Sequence, residues 1–219
     1  MIECIYAVFG ASGFGREVMP LLRAQINSKD IKNLYFVDDS PTTEEVNGLK
    51  VLSFDEFVDL EAKKKYISIA IADSSIRIKL TERCINVGIN ILDIKADNSV
   101  IMDDVSIGEG SIISPFCTLT SNIKIGVGFH ANIYSYVAHD CNIGDYVTFA
   151  PSVKCNGNIR IENYAYIGTG AILKQGTPDK PLVIGEGAVV GMGAVVTKSV
   201  AAGDVVFGNP AKSFKRKNR

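Results

Sequence analysis

Ile101 to Leu119 reads IMDDVSIGEGSIISPFCTL, and its residues Ile101, Ile107, Ile113 and Leu119 fall six apart. The series continues without a break through Ile125, Ala131, Val137, Ile143, Phe149, Cys155, Ile161, Ile167 and Leu173, and resumes at Ile184, Val190 and Val196 after five additional residues. An α-helix spreads every sixth residue around its circumference, whereas a short strand and corner repeated around a triangular coil brings them all inward. Three hexapeptides make one coil of 18 residues, so inward residues of successive coils stack into columns. Gly108, Gly126, Gly144, Gly168, Gly185 and Gly191 directly follow inward residues, where tight corner geometry calls for glycine. The second half is therefore an all-β parallel β-helix of hexapeptide repeats.

Ahead of the repeats the pattern is different. The β-rich run Cys4–Phe9 leads into Gly10-Ala11-Ser12-Gly13-Phe14-Gly15 and then an apolar-faced helix beginning near Arg16. Leu34 to Asp39 forms a short strand that ends in two acids. Ser53 and Glu56 make a capping box that opens a helix expected to reach about Lys64. Tyr66 to Ala72 reads as a buried strand and Ser74 to Val87 as a helix. Such alternation predicts a small Rossmann-like parallel sheet with helices on both faces, giving an α/β domain over 1–95 before the β-helix domain over 96–219.

The 219 residues carry a formal net charge of −1, which gives no reason to expect nucleic acid as a partner. Five cysteines, odd in number and without CxxC spacing, read as reduced thiols in a cytoplasmic protein. No long apolar run suggests membrane insertion. The basic end, Lys212 to Arg219, reads as a solvated terminus.

Against that background the stretch VAHDCNIG, Val137 to Gly144, stands out, because it places one of the chain's two histidines beside an acid. The spacing GASGFGRE (Gly10 to Glu17), the central HDCNIGD (His139 to Asp145) and the closing GNPAK (Gly208 to Lys212) together resemble one family. It is the group of bacterial sugar acyltransferases related to sialic acid O-acetyltransferases and to N-acetyltransferases of nucleotide-linked 4-amino-4,6-dideoxy sugars. The resemblance covers essentially the whole chain. It implies a left-handed β-helix, a homotrimer with active sites between subunits, acetyl-CoA as co-substrate, no required metal, and a nucleotide-linked aminosugar held by the first domain. UDP and dTDP are the expected carriers, and the product is expected to enter glycan or surface-polysaccharide synthesis.

Acetyl transfer from a thioester to an amine needs a base, donors for the developing oxyanion and two substrates held in line. His139 fits the base, since imidazole titrates near neutral pH, and Asp140 fits a group that fixes its tautomer. Gly157 lies 18 residues on, one coil away, so it should stack beside His139 at about 4.8 Å with its N–H as a donor. In the family, an asparagine matching Asn132 touches the acceptor sugar, and Gly157, Gly168, Gly191 and Gly193 match stretches that line acetyl-CoA. Gly10, Ala11, Ser12 and Gly13 open a helix whose N–H groups suit a pyrophosphate, and Asp38 and Asp39 stand where an acid would reach a ribose or base. The insertion Gln175 to Pro181 must bulge from the coil, either as a tolerated loop or as a cover for the pantetheine arm. The 3′-phosphate of CoA is the alternative partner for the basic end.

Two positions depart from the family pattern: Phe14 and Thr148 stand where histidines often occur. Cys141 as an acetyl-accepting nucleophile is disfavoured, with no separate activating group in view. His130 reads as a surface or interface residue. Two histidines cannot supply a three-histidine zinc site, and about 90 residues cannot hold a full dinucleotide fold. An O-acetyltransferase of the sialic acid type and a non-catalytic nucleotide-binding solenoid are the remaining alternatives.

Overall fold

A computed structural model describes residues 2–214. Residues 215–219, most of the basic end, lie outside the described residues. The chain divides into two compact units, with the boundary between Lys95 and Ala96.

The first unit contains β1 (Ile2–Phe9), α1 (Gly13–Gln25), a 3-10 turn (Ser28–Asn33), β2 (Leu34–Val37), β3 (Glu45–Val46), β4 (Leu49–Leu52), α2 (Phe54–Asp59), β5 (Ala62–Ile69), α3 (Ser74–Asn86) and β6 (Asn90–Ile91). The sheet order is β3-β4-β2-β1-β5-β6, parallel throughout except for the β3–β4 hairpin. Strand pleating sorts its side chains. Ile5, Ala7 and Phe9 of β1 join Val37, Ile67 and Ile69 in one core with Phe54 and Phe57 of α2 and Cys84 of α3. Val8 points the other way, toward α1, where a Cβ on Gly15 would lie 3.6 Å from it. Helices therefore cover both faces.

Two local outcomes differ from the sequence reading. The capping box at Ser53 forms, with Ser53 N–H donating to Glu56 at 2.7 Å, but α2 ends at Asp59 and not near Lys64. Ala62 to Lys65 instead extend β5, because pairing with Ile2 to Ile5 satisfies their backbone groups along the whole length of β1. The β3–β4 hairpin was not anticipated by the strand–helix alternation. It turns on Asn47 and Gly48, both at positive φ (50° and 77°), the pairing that a two-residue hairpin turn demands.

In the second unit, strands of two or three residues stack into three parallel sheets. The register confirms the columns. One runs Ile101, Leu119, Val137, Cys155, Leu173 and Val196. A second runs Ile107, Ile125, Ile143, Ile161 and Ile184, and a third Ile113, Ala131, Phe149, Ile167, Val190 and Val206. Apart from the half-buried Ile101 and Ile107 at one end, all are buried in one continuous core. The glycines that follow the inward residues serve a purpose other than a turn dihedral. A Cβ on Gly126 would stand 2.1 Å from Asp145 Oδ1, so glycine is required by the closeness of the next coil. The left-handed corners fall to other residues, among them Asp104, Asn122, Asp140 and Asn158, with φ between 54° and 59°. Asn and Asp tolerate that conformation better than most side chains.

Leu182 to Ile184 resume the sheet after Ile159 to Ile161, and the extra residues form a short hairpin closed by reciprocal Thr177–Lys180 backbone hydrogen bonds. At the far end Lys212 and Ser213 pair antiparallel with Phe207 and Val206, so the start of the basic end is exposed to solvent but held as strand.

Candidate active site

His139, Asp140 and Gly157 meet at one corner of the β-helix. His139 follows the strand Tyr136–Val137, and Asp140 turns the corner in the left-handed region at φ 59°. The imidazole Nδ1 lies 2.6 Å from Asp140 Oδ2. With Nδ1–H donating to that carboxylate, Nε2 carries the free lone pair. Both side chains are about half exposed (49% and 46%). On its other oxygen Asp140 accepts from Asn122 Nδ2 at 3.1 Å, one coil earlier. The hydrogen bond with His139, followed by that from Asn122, holds the Asp140 carboxyl below its ordinary range.

One face of the ring lies over Gly157. A Cβ there would stand 2.6 Å from both Cε1 and Nε2 of His139, and 3.0 Å from Cδ2. Asn158 N–H donates to His139 O, tying the two coils together at this corner, and Gly176 N–H donates to Gly157 O. Among the described residues no acceptor takes the Gly157 N–H. The insertion hairpin thus continues the same corner column. It walls a cavity of about 480 Å³ lined by Lys174, Gln175, Thr177, Lys180, Thr197 and Lys198.

Asn132 stands elsewhere. Its Nδ2 donates to Phe149 O at 2.9 Å, and it belongs to the corner column that continues through Gly168 and Gly191, with Gly193 beside it. A Cβ on Gly168 would strike Gly191 and Met192 at 2.6–2.7 Å, which accounts for that glycine. One chain does not bring Asn132 and the three later glycines to His139.

In the first unit the glycine-rich turn resolves residue by residue. Gly10 has φ 108° and donates to Val37 O, and Gly15 is obligatory because a Cβ there would fall 1.7 Å from Gly10 O. Gly13, the first residue of α1, has open space where a Cβ would be. The N-cap Ser12 makes no side-chain cap, so the helix end is not closed by its own sequence. Asp38 accepts from Ala11 N–H at 3.1 Å and from Ser40 N–H at 3.0 Å, thereby shaping a cavity of about 260 Å³ that Ser12, Pro41, Thr42 and Val51 also line. Asp39 is engaged by Arg83 at 2.6 Å, while that guanidinium also sits 3.9 Å over the Phe54 ring. The sequence brought both acids to the strand end. Only the fold shows them bonded to the protein itself.

The remaining expectations divide. His130, expected at the surface or an interface, is fully buried, as are its column neighbours Ile112 and Thr148. Thr148 is therefore not a groove residue within the chain. Cys141 is buried, with Sγ 3.2 Å from Asn156 O, facing away from the His139 ring into the coil. All five cysteines are unpaired, and burial pushes the Cys84 and Cys117 thiols up to about 12 and about 11. No helix among the described residues is long and apolar enough to cross a membrane, and no cluster of three metal-ligating side chains occurs among them.

The PglD N-terminal domain family matches residues 6–84. Over 214 residues, 97% of each chain, the sequence is 53% identical to a GDP-perosamine N-acetyltransferase from Escherichia coli O157:H7. The chain belongs to the hexapeptide-repeat sugar N-acetyltransferase family. The family's solved structures agree in fold. WeeI from Acinetobacter baumannii AYE is 59% identical, with a TM-score of 0.95 over 96% of this chain and all of that one. The acetyltransferase domain of PglB from Neisseria gonorrhoeae FA1090, in complex with acetyl coenzyme A, is 28% identical, with a TM-score of 0.86 over 98% of this chain and all of that one. The family's fold, an α/β domain followed by a left-handed β-helix, is the fold of this chain, and this chain is an acetyltransferase.

Proposed function

We propose that this acetyltransferase transfers acetyl from acetyl-CoA to the 4-amino group of a GDP-linked 4-amino-4,6-dideoxyhexose, with GDP-perosamine the first candidate. The observation that carries the chemistry is the His139 ring held between Asp140 Oδ2 at 2.6 Å and the bare Cα of Gly157. The name of the E. coli relative favours GDP over the UDP and dTDP carriers expected from the sequence, and favours an amine over a hydroxyl acceptor.

His139 Nε2 takes the proton of the acceptor amine as it attacks the thioester carbonyl; the C–S bond then breaks, and CoA leaves as the thiol with that proton returned from His139. Asp140 keeps Nδ1 protonated and offsets the imidazolium that forms. Gly157 offers its N–H to the thioester oxygen. Absence of a side chain at 157 lets the His139 ring lie this close to the Gly157 backbone. Lys174, Lys180 and Lys198 supply positive charge for the phosphates of acetyl-CoA along the same column, with the insertion hairpin flanking the pantetheine arm. In the first unit the open N-terminus of α1, uncapped by Ser12 and bare at Gly13, receives the GDP diphosphate. Asp38 shapes that turn through its bonds to Ala11 and Ser40.

The Asn132 corner with Gly168, Gly191 and Gly193 lies apart from His139 in one chain, so a site using both draws them from neighbouring chains. That supports the homotrimer with shared sites. Unpaired thiols and the two co-substrates favour the cytoplasm, and the product suits surface-glycan synthesis.

The test is CoA release from acetyl-CoA with GDP-, UDP- and dTDP-linked 4-amino-4,6-dideoxy sugars beside sialic acid. Turnover with GDP-perosamine at the highest kcat/KM is the expected result. Turnover only with a hydroxyl acceptor would overturn the proposed amine chemistry.

A further inference from the structure

The Asp140 carboxylate has two oxygens, and each has a different partner. Oδ2 meets His139 Nδ1 at 2.6 Å, and Oδ1 accepts from Asn122 Nδ2 at 3.1 Å. Asn122 and Asp140 occupy the same corner position of consecutive coils, both in the left-handed region, at φ 58° and 59°. Backbone bonds hold both corners: Asp140 N–H donates to Ser121 O at 3.1 Å, joining the two coils, and Asn122 N–H donates to Asp103 O at 3.2 Å on the coil before. The amide of Asn122 is thus presented by rigid backbone, although its side chain is exposed.

A carboxylate held by a single partner is free to rotate about its χ2, whose potential is broad. Held from both sides, its plane is fixed, and with it the oxygen offered to His139. We propose that Asn122 is a positioning residue for the acetyl transfer: from the preceding coil it fixes the Asp140 carboxylate so that His139 keeps its proton on Nδ1 and its lone pair on Nε2. The inference rests on the base role proposed for His139. It adds a third member to the pair, found one full coil away in sequence.

The test uses Asn122→Gly, which tolerates the left-handed corner and removes the side chain with its amide. Asp104→Gly, the same change one coil earlier at φ 54°, serves as the backbone control. Two readouts are needed. Ring ¹⁵N shifts give the tautomer of His139 in the full-length protein without substrate, with His139→Ala assigning its signal against that of His130. Steady-state kinetics with acetyl-CoA and GDP-perosamine give kcat and both KM values.

Asn122→Gly should mix the two His139 tautomers and lower kcat by roughly 3- to 30-fold, with both KM values within about twofold of wild type, since Asn122 acts through Asp140. Asp104→Gly should change neither readout. Asn122→Asp, nearly isosteric but with an acceptor in place of the donor, should lower kcat at least as far as the glycine variant. An unchanged tautomer and kcat in Asn122→Gly would overturn the proposal, as would an equal loss in Asp104→Gly. A shifted tautomer in a protein whose wild type acetylates none of the aminosugars would uphold the positioning role and remove the proposed function instead.

Discussion

Gly157→Ala offers a sharp test of the site because its consequence can be worked out from distances. The added Cβ would stand 2.6 Å from His139 Cε1 and Nε2, and 3.0 Å from Cδ2. Ordinary non-bonded carbon contacts lie at about 3.5–4 Å, so the ring must retreat by about 1 Å. His139 is half exposed and has room to swing outward, but the 2.6 Å bond to Asp140 Oδ2 does not survive such a swing unchanged. A displacement of about 1 Å at a reacting group lowers rate by about 10²-fold. The alanine retains its backbone N–H, so a loss arises from the moved base and not from a deleted donor. Gly157 does not sit at positive φ, so its backbone accepts alanine, and stiffening the unfolded chain offsets part of the steric cost. The net change in stability should lie within about 1 kcal/mol, or roughly 2–4 °C in Tm for a chain of this size. The assay is thiol release from acetyl-CoA under saturating GDP-perosamine, beside a thermal melt. A kcat within threefold of wild type would refute the reasoning that His139 works from its present position. A collapse of Tm would show that Gly157 is a folding requirement.

Other consequences are open to direct measurement. His139→Ala should lower kcat by about 10²–10⁴-fold with little change in Tm, and an unaltered kcat would remove His139 as the base. Gly13→Asp places a carboxylate in the open space at the start of α1, where acids favour the helix; Tm should hold or rise while KM for the GDP sugar rises about tenfold or more and KM for acetyl-CoA stays put. An unchanged acceptor KM would move the diphosphate elsewhere. Asp73 caps α3 through Ile76 N–H at 3.0 Å and meets Ser75 Oγ at 2.6 Å; the Ser75 bond first, then the Ile76 N–H, hold its pKa below the ordinary 3.8. Its contribution is therefore complete above that ordinary value and fades as pH falls through the lowered folded value. Asp73→Ala should cost about 1 kcal/mol at pH 7 and progressively less as pH falls below the ordinary 3.8, as read by helix circular dichroism in urea. Light scattering should return three times the 23.6 kDa chain mass, and a monomer with full activity would exclude a site shared between chains.

The parts of the site legible in the sequence are those set by repeat arithmetic. Once six-residue periodicity defines an 18-residue coil, Gly157 must lie beside His139 and Asn122 beside Asp140, whatever the side chains then do. The first of these neighbours was read in advance. The second was equally accessible, but Asn at a corner draws no notice until its amide is seen on a carboxylate. The Asn47-Gly48 hairpin carried a plain local signal that the strand–helix alternation obscured. No local pattern marked the end of α2 at Asp59, because pairing of Ala62 to Lys65 with β1 decided it.

Sequence by itself determined the two architectures, the columns of the β-helix and the His139–Asp140–Gly157 corner. Each follows from short-range geometry repeated along the chain, which periodicity records. Tertiary structure alone decided that Asp38 binds the turn at Ala11, that Asp39 is held by Arg83, and that His130 is buried. Hydrogen-bond partners and burial depend on which distant segments arrive at a residue. A linear pattern fixes the type of a side chain but not its company.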